Sequence, residues 1–281
     1  MSDDSEVEPQ FNISEARLRE ISDLLLAYST TLIILLLDSE GNPFANQVGT
    51  GTFVKIGDRY GILTAEHVTR EIRWHMPCPL GLTLVPEVHR FDIKPGFFDI
   101  IEIGTPPSDG EGPDMSFIVL GLPDVGAIKA RKTFLDLDRD RDRMLRQPPL
   151  LTDGPWFICG VPSMRRTEEA PEGGFQEVAG FHGMCGITVP LKEYSKDGFD
   201  YIEVDADYQG GVNIPSTFKG FSGGGLWQVI PAESATDHFT LGEILLSGVT
   251  FAESGMLHQH RSIICHGRSS IYSKAFEEIL N

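Results

Sequence analysis

The sequence predicts a mostly β protein, on three observations. Its apolar residues fall in short runs of strand length, those runs are separated by turn-forming clusters, and 30 glycines and 18 prolines disfavour long helices. At 281 residues the chain is long enough to bury a sizeable core, in one large domain or in two barrels that share an interface.

The elements follow in order. After an acidic start, "NISEARLREISDLLLAYS" offers Asn12 as a cap with Glu15 three residues on and apolar residues at Leu18, Ile21, Leu24 and Leu25, which predicts an amphipathic helix. "TLIILLL" is then a buried strand, "DSEGNP" a turn, "NQVGTGTFVKI" a strand, "GDR" a tight turn and "YGILTAEHV" a strand. Further strands are expected at "LTLVPEVHRF", "FFDIIEIG" and "DMSFIVLGL". "FLDLDRDRDRMLRQPPLLTDG", with alternating charges and two prolines, is read as an exposed connection between two halves. "PWFICGVP", "EVAGFHGMCGITVP", "DYIEVDADY", "GGLWQVI" and "LGEILLSGVTFAE" are strands of the second half. "SSIYSKAFEEIL", with Ile271, Ala275, Phe276 and Ile279 on one face, is a terminal helix.

A formal charge of −18 disfavours a polyanion as partner, so no nucleic acid is expected; basic peptides would be attracted. The longest apolar stretch, Leu24 to Leu37, is shorter than a bilayer span and is interrupted by Ser29, Thr30 and Thr31, so no membrane is expected. "MSDDSEVEPQ" has no secretory pattern, which favours the cytoplasm. The four cysteines show no CxxC spacing and are expected as buried thiols. His258, His260, Cys265 and His266 are soft metal-ligand types, but ligand types alone do not make a site; a histidine-containing loop and strand is favoured over a zinc site, and no metal is expected.

"KGFSGGGLWQVI" sets Ser222 among glycines. A serine hydroxyl is a weak nucleophile and needs a base, a group that orients the base, and donors for an oxyanion. "GFSGG" fits the nucleophile elbow of α/β-hydrolases, yet three glycines followed by strand residues do not start the helix that fold requires. The order His, Asp, Ser is better served: "TAEHV" brings His67 to the end of an apolar strand, and "GPDMSFIVLGL" puts Asp114 at the start of another.

Together, "GTGTFV", "TAEHV", "DMSFIVL" and "GFSGGGL" resemble, in order, the hallmark segments of trypsin-like (chymotrypsin-fold) serine peptidases, especially their bacterial branch. The resemblance covers residues 31 to 280. It implies two six-stranded antiparallel β-barrels with the site in the cleft between them, to which the residue patterns above add an N-terminal and a C-terminal helix. The segments then divide as 1–30 acidic tail and helix, 31–135 first barrel, 136–154 linker, 155–267 second barrel, and 268–281 helix.

The resemblance also implies His67 as general base and then acid, Asp114 as the group that orients it, and Ser222 as nucleophile, with the N–H groups of Gly220 and Ser222 as oxyanion hole. Asp99 competes with Asp114 but sits inside a strand-like run. Ser216, six residues before the nucleophile, would form the base of the substrate pocket, and Thr250, Phe251, Ala252 and Glu253 one wall. A neutral base favours a small or medium apolar side chain, while Glu253 keeps a basic one open. Phe221 stands where zymogen-activated members carry an aspartate, so control is expected from another domain, a regulatory partner or a substrate-induced ordering of loops rather than from a freed N-terminus. The expected partner is a protein or peptide substrate, with no organic cofactor; oligomeric state is not legible. Two other classes remain open: a catalytically silent trypsin-like module that binds or scaffolds, and an α/β-hydrolase esterase.

Overall fold

The computed structural model describes residues 11, 13–84, 90–106, 112–163, 166–169, 178–181, 183–205, 218–232, 239–254 and 261–281. The first half comprises α1 (Glu15–Leu26), β1 (Ser29–Leu37), β2 (Pro43–Ile56), β3 (Arg59–Thr64), α2 (Glu66–Trp74), β4 (Leu80–Thr83), β5 (Arg90–Ile93), β6 (Phe98–Gly104), β7 (Met115–Leu120), α3 (Leu122–Lys129), β8 (Leu135–Asp136) and α4 (Leu137–Arg146). The second comprises β9 (Trp156–Gly160), β10 (Arg166–Glu169), β11 (Val178–Phe181), β12 (Met184–Thr188), β13 (Pro190–Lys196), β14 (Phe199–Asp205), β15 (Gly225–Pro231), β16 (Leu241–Glu253) and β17 (Ser262–His266). A π-helical turn, Ser270–Ala275, and α5 (Phe276–Leu280) close the chain.

The mostly β architecture of two antiparallel sheets with a helix at each end is present. Among the described residues each sheet is an open path with more than six strands. The first runs β5-β4-β1-β2-β3-β7-β6, with β8 joining β2 in parallel over two residue pairs. The second runs β12-β9-β15-β16-β17-β14-β13, and β10 and β11 form a separate ribbon.

Both faces of several strands are buried, which accounts for their unbroken apolar runs. In β2, Val54 joins a core shared by the two sheets while its neighbour Phe53 fills the core of the first sheet; Leu63 and Ile62, and Phe117 and Ile118, divide in the same way. Trp227 and Leu226 repeat the division in the second half. The shared core also takes Ile21 and Leu25 of α1 and Ile271, Phe276 and Ile279 from the C-terminal segment. The helices thus clamp the seam between the sheets. No described helix is long and apolar enough to cross a membrane.

Four elements differ from expectation. The α1 cap is Ser14, whose extended backbone lets its hydroxyl accept from Arg17 N–H at 3.4 Å; Asn12 lies outside the described residues. The strand expected through Val68 stops at Thr64, and α2 begins at Glu66 because Val68, Thr69 and Ile72 recur at helical spacing against the core. The segment expected as an exposed linker contains α4: Leu137 and Met144 mark a buried face, Asp136 caps it, and Arg141 lies over the Phe276 ring at 4.3 Å. The C-terminal helix starts as a π turn, anchored by Asp200, whose carboxylate accepts from the N–H of Ser269 at 2.9 Å and of Ser270 at 2.6 Å. The cysteines are all free thiols; Cys159 and Cys265 are buried, Cys78 and Cys185 half-buried.

Candidate active site

His67 stands in the first turn of α2, just after β3, and Asp114 at the head of β7, the neighbour of β3 in the first sheet. The His67 backbone N–H donates to Asp114 Oδ1 at 2.9 Å, and its ring Nδ1 lies 2.6 Å from Asp114 Oδ2. A carboxylate only accepts, so this contact puts the ring proton on Nδ1 and leaves Nε2 as the free base. The Asp114 side chain is 10% exposed and that of His67 36%. Burial pushes the Asp114 carboxyl up, but its hydrogen bonds to His67 and the charge there outweigh burial and hold it below the ordinary value. Asp99, the competing carboxylate, is exposed on β6 opposite Val119.

Ser222 comes from the other half, on the loop before β15. Thr50 of β2 ties that loop to the first sheet: its N–H donates to the Ser222 carbonyl at 2.8 Å and its hydroxyl to the Gly220 carbonyl at 2.6 Å. The same hydroxyl accepts from Val161 N–H at 2.9 Å, and the Thr50 carbonyl accepts from Thr64 Oγ1 at 2.8 Å, three residues before His67. Gly49 marks the contact between the loops, since a Cβ there would lie 2.6 Å from Val68 and 3.0 Å from the Ser222 carbonyl. Valine at position 50 would keep the shape but strand two groups, the buried Val161 N–H and the half-buried Gly220 C=O. We expect Thr50→Val to lose about 2 kcal/mol of stability, read as a lower urea midpoint, and an unchanged midpoint would remove Thr50 from this role.

The turn before Ser222 closes through Phe221 N–H to Phe218 C=O at 2.9 Å, with Gly220 at φ 96° in the third position, as in a type II turn. Lys219 C=O accepts from Ser163 N–H at 2.9 Å. In a trans peptide the Gly220 N–H therefore points away from Ser163. Among the described residues neither the Gly220 nor the Ser222 N–H donates a hydrogen bond. Phe221 is buried, its ring edge-on to Phe218 at 5.2 Å, so an apolar plug anchors the loop.

A pocket beside Ser222 is lined by Phe218, Phe221, Thr250, Phe251, Ala252, Glu253 and Ile263, which brings all four residues of the expected wall together with the serine. Glu253 accepts from Phe218 N–H and pairs with Arg261, both at 3.3 Å, so its charge is already engaged. Ser216 lies outside the described residues, as do His258 and His260. Cys265 and His266 are adjacent on β17 and face opposite sides: Cys265 fills the second-half core, and His266 turns toward Asp114. Among the described residues no group of three His, Cys, Asp or Glu is arranged to hold a metal.

Two participants escaped the sequence reading. Thr50 had a faint signal, the Thr50/Thr52 alternation that puts both hydroxyls on the face meeting the second half, where Thr52 donates to Gly223 C=O at 3.1 Å. The other is His266, whose Nε2 accepts the Asp114 N–H at 3.0 Å. Burial pushes its pKa down to about 4, against the pull of Asp114 and Asp200. Between pH 6.5 and 4 the unfolded chain takes up a proton that folded His266 refuses, so stability falls as pH falls through that window. At about 1.4 kcal/mol per pH unit, the loss is about 3 kcal/mol. Urea midpoints from pH 7 to 4 should show a shallower acid decline in His266→Gln than in the wild type; parallel curves would contradict this.

No protein-family model matches the sequence, and no curated protein matches it. Among solved structures, the chain is similar to the Drosophila Grass clip serine protease of the Toll pathway, at 12% identity over 92% of this chain and 70% of that one, with a TM-score of 0.48. It is also similar to the tobacco vein mottling virus protease, at 11% identity over 87% and 78% of the two chains, with a TM-score of 0.39. Likeness at this level carries no residue role across.

Proposed function

We propose that the chain is a serine endopeptidase that hydrolyses peptide bonds through Ser222, His67 and Asp114. The observation that carries the reading is the buried Asp114 carboxylate, with both oxygens spent on His67 and the ring Nδ1 only 2.6 Å away. A histidine so held has its tautomer chosen for it, with Nε2 left to take a proton.

In the proposed reaction, Nε2 of His67 removes the Ser222 hydroxyl proton as Oγ attacks the scissile carbonyl. Asp114 balances the imidazolium that forms. The carbonyl oxygen, now negative, is met in this proposal by the N–H groups of Gly220 and Ser222, neither of which donates a hydrogen bond among the described residues. His67 then gives its proton to the leaving amine, and water repeats the cycle on the acyl-enzyme. The pocket lined by Phe218, Phe251, Ala252 and Ile263 favours a small or medium apolar side chain, because Glu253 is bound to Arg261.

Intact-mass measurement after a fluorophosphonate probe tests this. Wild type is expected to gain one phosphonyl group on Ser222, and His67→Ala none. A folded wild type that takes no label would overturn the reading in favour of a binding module.

A further inference from the structure

We propose that His266 is a positioning residue for Asp114, holding the carboxylate's backbone against the wall of the substrate pocket through one neutral imidazole. This rests on the peptidase reading above and names a residue that reading does not use. Asp114 N–H lies just before β7, and its partner is His266 Nε2 at 3.0 Å, from the second sheet. The two Asp114 oxygens are occupied by His67. The His266 contact is thus a third restraint on the same residue, and it comes from the half of the molecule that carries the serine.

The imidazole is unusual for its surroundings. His266 is fully buried, stacked on Phe251 at 4.5 Å between ring centres and packed against Tyr201 at 5.2 Å and Phe199 at 5.6 Å. Accepting through Nε2 places the ring proton on Nδ1, which is buried without a partner among the described residues. Phenylalanine would fill this aromatic niche without an orphaned Nδ1, but it would strand the buried Asp114 N–H. What imidazole adds is the acceptor for Asp114. Since Phe251 also lines the pocket, the ring joins the substrate wall to the orienting carboxylate. The charged and titratable groups around it are Asp114 at the head of β7 and Asp200 and Tyr201 on β14, with Cys265 beside it on β17.

The test compares His266→Phe with His266→Gln in the full chain. Phenylalanine keeps the stack and removes the acceptor; glutamine offers an oxygen where Nε2 stood. A misplaced orienting group is expected to lower kcat by about 10- to 100-fold, with KM near the wild-type value, in the phenylalanine variant. Glutamine should restore most of the loss. A second readout needs no turnover: the low-field NMR signal of the proton between His67 and Asp114, a short charge-assisted bond, should shift or broaden in His266→Phe and return in His266→Gln. If wild type neither labels nor turns over, the peptidase reading fails, and the proton signal alone still decides whether His266 positions Asp114. A phenylalanine variant with wild-type kcat and an unmoved proton would overturn the proposal. Should that variant not fold, His266→Asn, too short to reach Asp114 N–H, serves in its place with the same expectations.

Discussion

Replacing Ser222 with alanine is expected to lower kcat for a peptide ester about a million-fold, the scale seen when a nucleophile is removed from a working triad. What remains would come from binding and oriented donors alone. The fold should be untouched, because the loop is held by the Ser222 carbonyl, by Thr50 and by buried Phe221, none of which involves the hydroxyl. Substrate affinity should also persist, since the pocket walls are unchanged. Steady-state kinetics beside thermal melting would check both halves. Residual activity above about a thousandth of wild type would mean that another group attacks the substrate.

Asp114→Asn is expected to lower kcat about ten-thousandfold, although it changes one atom. The carboxylate gives one oxygen to the His67 backbone N–H and the other to Nδ1. An amide has one acceptor and one donor to put in those places. If its oxygen keeps the backbone bond, its NH2 faces Nδ1, which must then accept, and the ring proton moves to Nε2. The histidine is still present but carries its proton on the side meant to receive one. Asp99→Asn, on an exposed stretch of β6, should behave as wild type in the same assay. Equal losses in the two variants, or a loss below tenfold at Asp114, would sink the assignment.

Much of the first half was legible because its signals are local. The "GTGTFVKI" and "RYGILT" runs predict a hairpin, and β2 and β3 form it with Ile56 opposite Arg59. Asp114, at the boundary between a Gly-Pro turn and an apolar run, could be placed beside a histidine before any coordinates. What sequence could not supply were choices made by distant packing. The DRDRDR repeat looks solvated, yet Leu137 and Met144, seven residues apart, find the C-terminal segment and a helix forms. α2 reads as strand because Ile62 and Leu63 lead into it, and the change of period appears only over Val68, Thr69 and Ile72. The bond from Asp114 N–H to His266 was invisible for the same reason: it depends on β17 lying beside the head of β7, a neighbour 152 positions away.

Thr50 gives the site a particular kind of vulnerability. One residue donates to Ser222 and Gly220, accepts from Val161, and receives the Thr64 hydroxyl on its carbonyl. Fraying of any one loop leaves most of these bonds in place, so small local fluctuations do little harm. Parting of the two sheets breaks several at once. We therefore expect the seam itself to be the exchange-protected unit around Ser222, opening as a whole rather than by degrees.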